Sequence, residues 1–160
     1  MEQPNYITTE GLAALRSRYE ALFADERPKL VEVVSWAAGN GDRSENGDYL
    51  YGKKRLREID RELGWLSRRM KAAKAINPAD QPDKTRIWFG ATVTIADEDD
   101  RERVLTLVGD DEQDASAGRI GWNSPIARAL RGAIVGDLRR VTLPLREIEY
   151  EVIQIRYPAR

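Results

Sequence analysis

Between Tyr49 and Ala73 the apolar positions Tyr49, Gly52, Leu56, Ile59, Leu63, Leu66, Met70 and Ala73 alternate steps of three and four without a miss. Such a seam marks a helix that packs along another helix. The partner lies upstream: Leu12, Leu15, Tyr19 and Leu22 keep the same spacing, and Thr8 or Thr9 can cap a helix beginning near Glu10. Pro28 interrupts the pattern, which resumes in a shifted register at Leu30, Val33 or Val34, and Ala37. The flanking run Asp25-Glu26-Arg27 has no loop composition, so a bend is expected there rather than an end. Each helix of roughly 30 residues would be roughly 45 Å long. The short connection Gly41-Asp42-Arg43-Ser44-Glu45-Asn46 makes the two antiparallel neighbours. Ser44 or Asn46 can cap the second helix, and Glu45 and Asp48 suit the positive pole of its dipole.

The 3-4 pattern stops at Asn77-Pro78-Ala79-Asp80-Gln81-Pro82-Asp83, which reads as a linker. Strand alternation follows at Ala91, Val93 and Ile95, at Leu105 and Leu107, and at Ile148, Tyr150 and Val152. One short helix is expected with Ser124 as N-cap, Pro125 at its first position, and Ile126-Ala127-Arg128-Ala129-Leu130 behind it. The fold class is therefore α+β: an antiparallel coiled-coil hairpin over 1–77, then a small, mostly antiparallel globular domain over 78–160.

Absent residue types narrow the chemistry. The chain has no Cys and no His, which excludes a disulfide, a thiolate nucleophile, a zinc-thiolate site and an imidazole base. A metal would be a hard cation held by oxygens, Mg²⁺ above all. The net charge of -1 among 160 residues gives no global attraction to nucleic acid, so any such attraction is local. No stretch approaches membrane-spanning length, and a cytoplasmic protein without membrane contact is expected.

The local charge lies behind the connection. From Lys53 to Lys74 there are nine Lys or Arg against three Asp or Glu. Asp42, Glu45 and Asp48 precede this block. Each tip residue has an ordinary explanation as turn former, cap or dipole partner. The cations at Lys53, Lys54 and Arg55 do not, since the helix dipole favours them at the opposite end. Two or three solvated carboxylates without pocket or base are no complete nuclease. They can complete a site in a partner that already holds a metal and a phosphate, while the cations behind them meet nucleic-acid phosphates.

Trp36-Ala37-Ala38, Gly41 to Asn46, Asp48-Tyr49 and Lys53-Lys54-Arg55-Leu56-Arg57-Glu58-Ile59-Asp60 together resemble the GreA/GreB transcript cleavage factors, the GreB branch more closely. Tyr6-Ile7-Thr8, Glu10-Gly11, Phe89-Gly90-Ala91 and Ser124 to Leu130 extend the resemblance over nearly the whole chain. The resemblance implies an FKBP-like globular domain and a coiled coil that enters the secondary channel of bacterial RNA polymerase. It implies an accessory factor rather than an enzyme: the polymerase cleaves the backtracked nascent RNA 3′ end, rescuing arrested complexes. Asp42 and Glu45 would recruit Mg²⁺ shared with the polymerase active site, with no cofactor held tightly. Ser44 would support the attacking water or the tip geometry. Lys53, Lys54, Arg55 and Arg57 would guide the RNA, and Ser124, Pro125, Ile126, Arg128 and Leu130 would dock on the polymerase. A monomer is expected. Two departures from the family pattern are Gly47, where Ala is usual, and Gly132-Ala133-Ile134, where charge is usual.

Two other functions fit parts of the pattern: a channel-binding regulator that inhibits the polymerase, and a prolyl isomerase or chaperone with a helical arm. Asp42 and Glu45 in a tip of unchanged length speak against the first. Asp110, Glu112 and Asp114 begin with calcium-loop spacing, but Ala115 and Gly121 stand where that loop needs Gly and Glu, so a solvated turn is expected. Trp65 and Trp88 are expected to pack near the junction of the two parts.

Overall fold

The computed structural model describes residues 4–39 and 46–159, which form two compact units. Leu12–Ala72 make the helical unit, while residues 1–11 and 73–160 make the other.

In the helical unit, α1 (Thr9–Glu20) passes through a π-helical stretch, Ala21–Glu26, into α2 (Arg27–Ala38). The Arg27 N–H reaches the Leu22 carbonyl, five residues back. A proline ring crowds the carbonyl four residues before it and offers no N–H. A wider turn just ahead of Pro28 relieves that crowding, so the helix continues. The extra residue also moves the buried stripe. Leu22 and Ala37 are fully buried, Val34 meets α3 (Gly47–Ala72), and Val33 is 47% exposed.

From α3 the seam contributes Gly52, Ile59, Leu63 and Leu66 as buried positions. A Cβ on Gly52 would overlap Val34 Cγ2, so the missing side chain is what lets α2 and α3 approach there. Ion pairs flank the seam: Arg18 with Glu62 at 2.8 Å, Arg27 with Asp60 at 2.8 Å, and Arg55 with Glu26 at 2.7 Å.

The chain leaves α3 directly into β2 (Ala73–Ile76), which pairs in parallel with β1 (Asn5–Thr8), Asn5 opposite Ala73 and Thr8 opposite Ile76. Ala73, the last seam position in the sequence, is thus already strand. Parallel strands need a crossover connection, and here the helical hairpin is that connection. Ile7 is fully buried, which anchors β1 in the globular unit.

The main sheet has the order β5-β4-β3-β7-β6, built from β3 (Thr92–Ala96), β4 (Glu102–Val108), β5 (Arg119–Gly121), β6 (Leu138–Thr142) and β7 (Glu147–Arg156). All its pairings are antiparallel except β4 with β5. The alternating positions Ala91, Val93, Ile95, Leu105, Leu107, Tyr150 and Val152 point into the core with α4 (Pro125–Leu130). Tyr6 of β1 joins them through tilted and edge contacts to Phe89 (5.7 Å) and Trp122 (6.4 Å). The fold class is therefore α+β, helical hairpin and sheet-rich domain, as read from the sequence.

The acidic run after β4 forms two 3-10 turns, and its carboxylates are engaged in holding them. Glu112, with its side chain 3% exposed, accepts from Thr8 N (2.9 Å), Thr8 Oγ1 and Gly109 N (2.8 Å), and pairs with Arg119. Asp110 accepts from Asn123 N and Nδ2, and Asp114 caps Ser116. Trp65 and Trp88 are less buried than packing residues would be, at 44% and 39% exposure.

Candidate functional site

At the end of the hairpin, α2 stops at Ala38 with Gly39 as its C-cap, the Gly39 N–H donating to Trp36 O at 3.1 Å. The first helical residue of α3 is Gly47, and Asn46 is its cap: Asn46 Oδ1 accepts from Tyr49 N at 3.1 Å, and Asn46 O accepts from Leu50 N at 3.0 Å. The same side chain donates through Nδ2 to Ala37 O at 2.7 Å. Asp42, Arg43, Ser44 and Glu45 lie outside the described residues. Asp48 is exposed in the first turn of α3. Among the described residues, no three acids gather into a group that could hold a metal. The side-chain ligand atoms that the tip sequence offers are all oxygens, the carboxylates of Asp42, Glu45 and Asp48 foremost, which fits a hard, oxygen-loving ion such as Mg²⁺.

The four expected RNA-guiding cations do not stay together. Lys53, Lys54 and Arg57 are exposed, with Lys53 Nζ 5.3 Å from the Tyr49 ring centroid. Arg55 instead turns toward α2. Its guanidinium donates to Glu26 from Nε (2.9 Å) and Nη2 (2.7 Å), and pairs with Glu58 at 3.3 Å. Both N–H groups converge on one oxygen, Glu26 Oε1, in charge-assisted bonds, so Arg55 braces the hairpin and leaves the outward cationic face to the other three. Further along, the Arg27 guanidinium beside Asp60 holds that carboxyl below its usual range, and Arg18 does the same for Glu62.

The docking candidates sit on α4. Ser124 Oγ accepts from Ala127 N at 3.3 Å, and Pro125 occupies the first helical position, as their spacing predicts. Pro125 and Arg128 are exposed, and Ile126 is half-buried against the core. Leu130 is not on the surface. It is fully buried in the core, where its role is to hold the helix down. The outer face available for contact is therefore Ser124, Pro125 and Arg128, with the edge of Ile126.

Sequence reasoning missed the support beneath this helix. Arg131 stacks over Trp122 with its guanidinium carbon 3.8 Å from the ring centroid, donates to Trp122 O, and reaches Asn123 Oδ1 at 3.1 Å. Burial pushes its pKa down, and neighbouring Arg128 adds to this. Asp110 holds Asn123 from the other side. An Arg one position past a capped helix carries no recognisable pattern, because all its partners come from other turns. Gly132 adopts φ +79°, and Ala133 behind it is fully buried. Ala133 therefore fills a core position, and only Ile134, 40% exposed, lies outward in the departing segment.

Family models match both halves of the chain. The family model for the N-terminal domain of transcription elongation factors of the GreA/GreB type matches residues 5–75. The one described as "Transcription elongation factor, GreA/GreB, C-term" matches residues 81–157. Transcription elongation factor GreB of Neisseria meningitidis serogroup B is 45% identical over 98% of this chain and 96% of its own length. The GreB of Yersinia pestis is 44% identical over 98% of this chain and 91% of its own length. Among solved structures, the GreA factor homolog Gfh1 of Thermus thermophilus aligns with a TM-score of 0.43 and 18% identity, over 96% of this chain and 99% of that one.

Proposed function

Because the chain belongs to the GreA/GreB family of transcription elongation factors, we propose that it enters the secondary channel of bacterial RNA polymerase and stimulates cleavage of backtracked RNA. The bond is broken in the polymerase, and this chain contributes ligands and position. The observation that carries the reading is the end of the hairpin. There one side chain, Asn46, spans the two helix ends around the acid-bearing connection, and an outward face of Lys53, Lys54 and Arg57 lies one to three turns behind.

In this mechanism α4 docks through Ser124, Pro125, Ile126 and Arg128 and holds the factor at the polymerase. Lys53, Lys54 and Arg57 then line the path of the displaced RNA 3′ segment, their charges balancing its phosphates. Asp42 and Glu45 would hold Mg²⁺ jointly with the polymerase, and Ser44 would orient the attacking water or the acids. When bound, the ion supplies Lewis acidity for phosphodiester hydrolysis.

The test is to add the protein to a stalled, backtracked elongation complex and follow labelled RNA. Short 3′ fragments and resumed synthesis are the expected result. Slowed synthesis without fragments would mean that the protein is an inhibitory channel binder. No effect on the polymerase, with isomerase activity on proline peptides, would place the function in the globular domain.

A further inference from the structure

We propose that Asn46 is the positioning residue of the tip, a clamp that fixes both ends of the connection carrying Asp42 and Glu45. This rests on the reading of the tip as a metal-delivering element. Helix ends leave orphan groups: the last four carbonyls of α2 and the first four N–H groups of α3 lack intrahelical partners. An amide is a side chain that can serve one of each, since it carries an acceptor and two donors. Asn46 does so. Its Oδ1 accepts from Tyr49 N in the first turn of α3, and its Nδ2 donates to Ala37 O in the last turn of α2. Ala37 is fully buried and Gly52 permits the close approach of α2 and α3, so the acceptor is held on a rigid surface. Ser, Thr or Asp at this position would cap α3 equally well. None of them offers a carboxamide N–H to the other helix. The choice of Asn is explained by the cross-link rather than by the cap.

The consequence concerns the tip acids. The bonds of Asn46 hold the two helix ends together, and ligands borne between fixed supports bind an ion with less ordering cost than ligands whose supports must first be brought together. Loss of the clamp should therefore appear as a greater demand for Mg²⁺, with docking left alone.

The experiment compares the wild-type chain with Asn46→Ser, which keeps the cap acceptor and loses the cross-link, and with Asn46→Asp, which keeps shape and cap but lacks the donor. Stimulated cleavage is titrated with Mg²⁺, and binding is measured by competition for polymerase. In parallel, NMR of the free wild-type protein follows exchange of the Asn46 side-chain amide protons. The clamp predicts slow exchange and unchanged competition. It also predicts that Asn46→Ser needs about fivefold more Mg²⁺ for half-maximal cleavage, the size expected for one lost hydrogen bond. Asn46→Asp should move the same way although it adds a carboxylate; an acid that merely joined the metal site would move it the other way. An active wild type with both variants at wild-type Mg²⁺ demand overturns the clamp. So does solvent-rate exchange of the amide. A wild type that releases no RNA fragments overturns the underlying reading of the tip and the positioning role with it, and is recognised by the inactivity of the unsubstituted chain. Circular dichroism identifies a variant that fails to fold, leaving the other to decide.

Discussion

Asp42 and Glu45 are the two residues on which the proposed chemistry depends, and each should be separable from binding. Asp42→Ala and Glu45→Ala are expected to abolish stimulated cleavage while competing for polymerase nearly as well as the parent, because the proposed docking face lies on α4. Equal loss of both properties would reduce the acids to a structural role. Two glycines of α3 make an opposite pair. Gly47 has open space where a Cβ would go, so Gly47→Ala should stabilise the hairpin by up to about 1 kcal/mol through helix propensity. Gly52→Ala forces a methyl onto Val34 and should destabilise it by about 1–3 kcal/mol. Thermal melts of both variants measure the contrast. The family departure at Gly47 therefore costs some stability and carries no steric consequence.

At the scale of the helices, the outward face of α3 has a measurable signature. Neutralising Lys53, Lys54 and Arg57 together should weaken action on long backtracked RNA more than on short RNA. It should also flatten the salt dependence, because fewer phosphate counterions are displaced. Arg55→Met should instead lower the melting temperature and leave the salt slope in place, since Arg55 is engaged with Glu26 and Glu58. The ion pairs also give the hairpin a pH dependence. Asp60 and Glu62 lie below their usual range in the fold, held there by Arg27 and Arg18. Their contribution is present above the unfolded-state values and is lost as pH falls through the lower folded ones. Melting temperature should thus decline between about pH 5 and pH 2, by less in Arg27→Met. Exposure of both pairs keeps the effect small.

These elements differ in how far the sequence disclosed them. The α3 seam was legible because eight positions repeat one period, and α4 because Ser-Pro before an apolar run leaves little alternative. The π turn was visible only as a shifted register at Pro28, with no indication of how the helix absorbed it. Arg55 looked like its neighbours Lys53 and Lys54 because a charge run does not disclose which member faces the partner helix; Glu26, 29 residues away, decides that. Leu130 read as surface for a related reason: a six-residue helix is too short for its periodicity to show which end is buried. Asn46 appears in the sequence as one of two possible caps, and its second bond depends on where the fold brings the Ala37 carbonyl.

On the scale of the whole chain, the least legible feature is that the globular unit is discontinuous. β1 and β2 are four residues each, too short for alternation to register, and they are separated by the entire hairpin. A cut near Pro82, natural from the sequence linker, would remove β1, β2 and the aromatic contacts of Tyr6 with Phe89 and Trp122. It would also remove Thr8, the buried partner of Glu112. Such a fragment should be poorly folded and uninformative about docking. The better separation keeps residues 1–11 and 73–160 and replaces 12–72 with a flexible linker long enough to join the ends of two parallel strands. This unit should fold, compete with the full protein for polymerase and promote no cleavage, since it keeps α4 and lacks the tip. In the intact chain, substituting Pro125 together with Arg128 should raise the concentration for half-maximal cleavage while leaving the saturated rate nearly intact, because an anchor acts through effective concentration at the channel. A folded linker variant that cannot compete would transfer the binding role to the hairpin. The double substitution would then lose nothing, since neither exposed side chain would touch the polymerase.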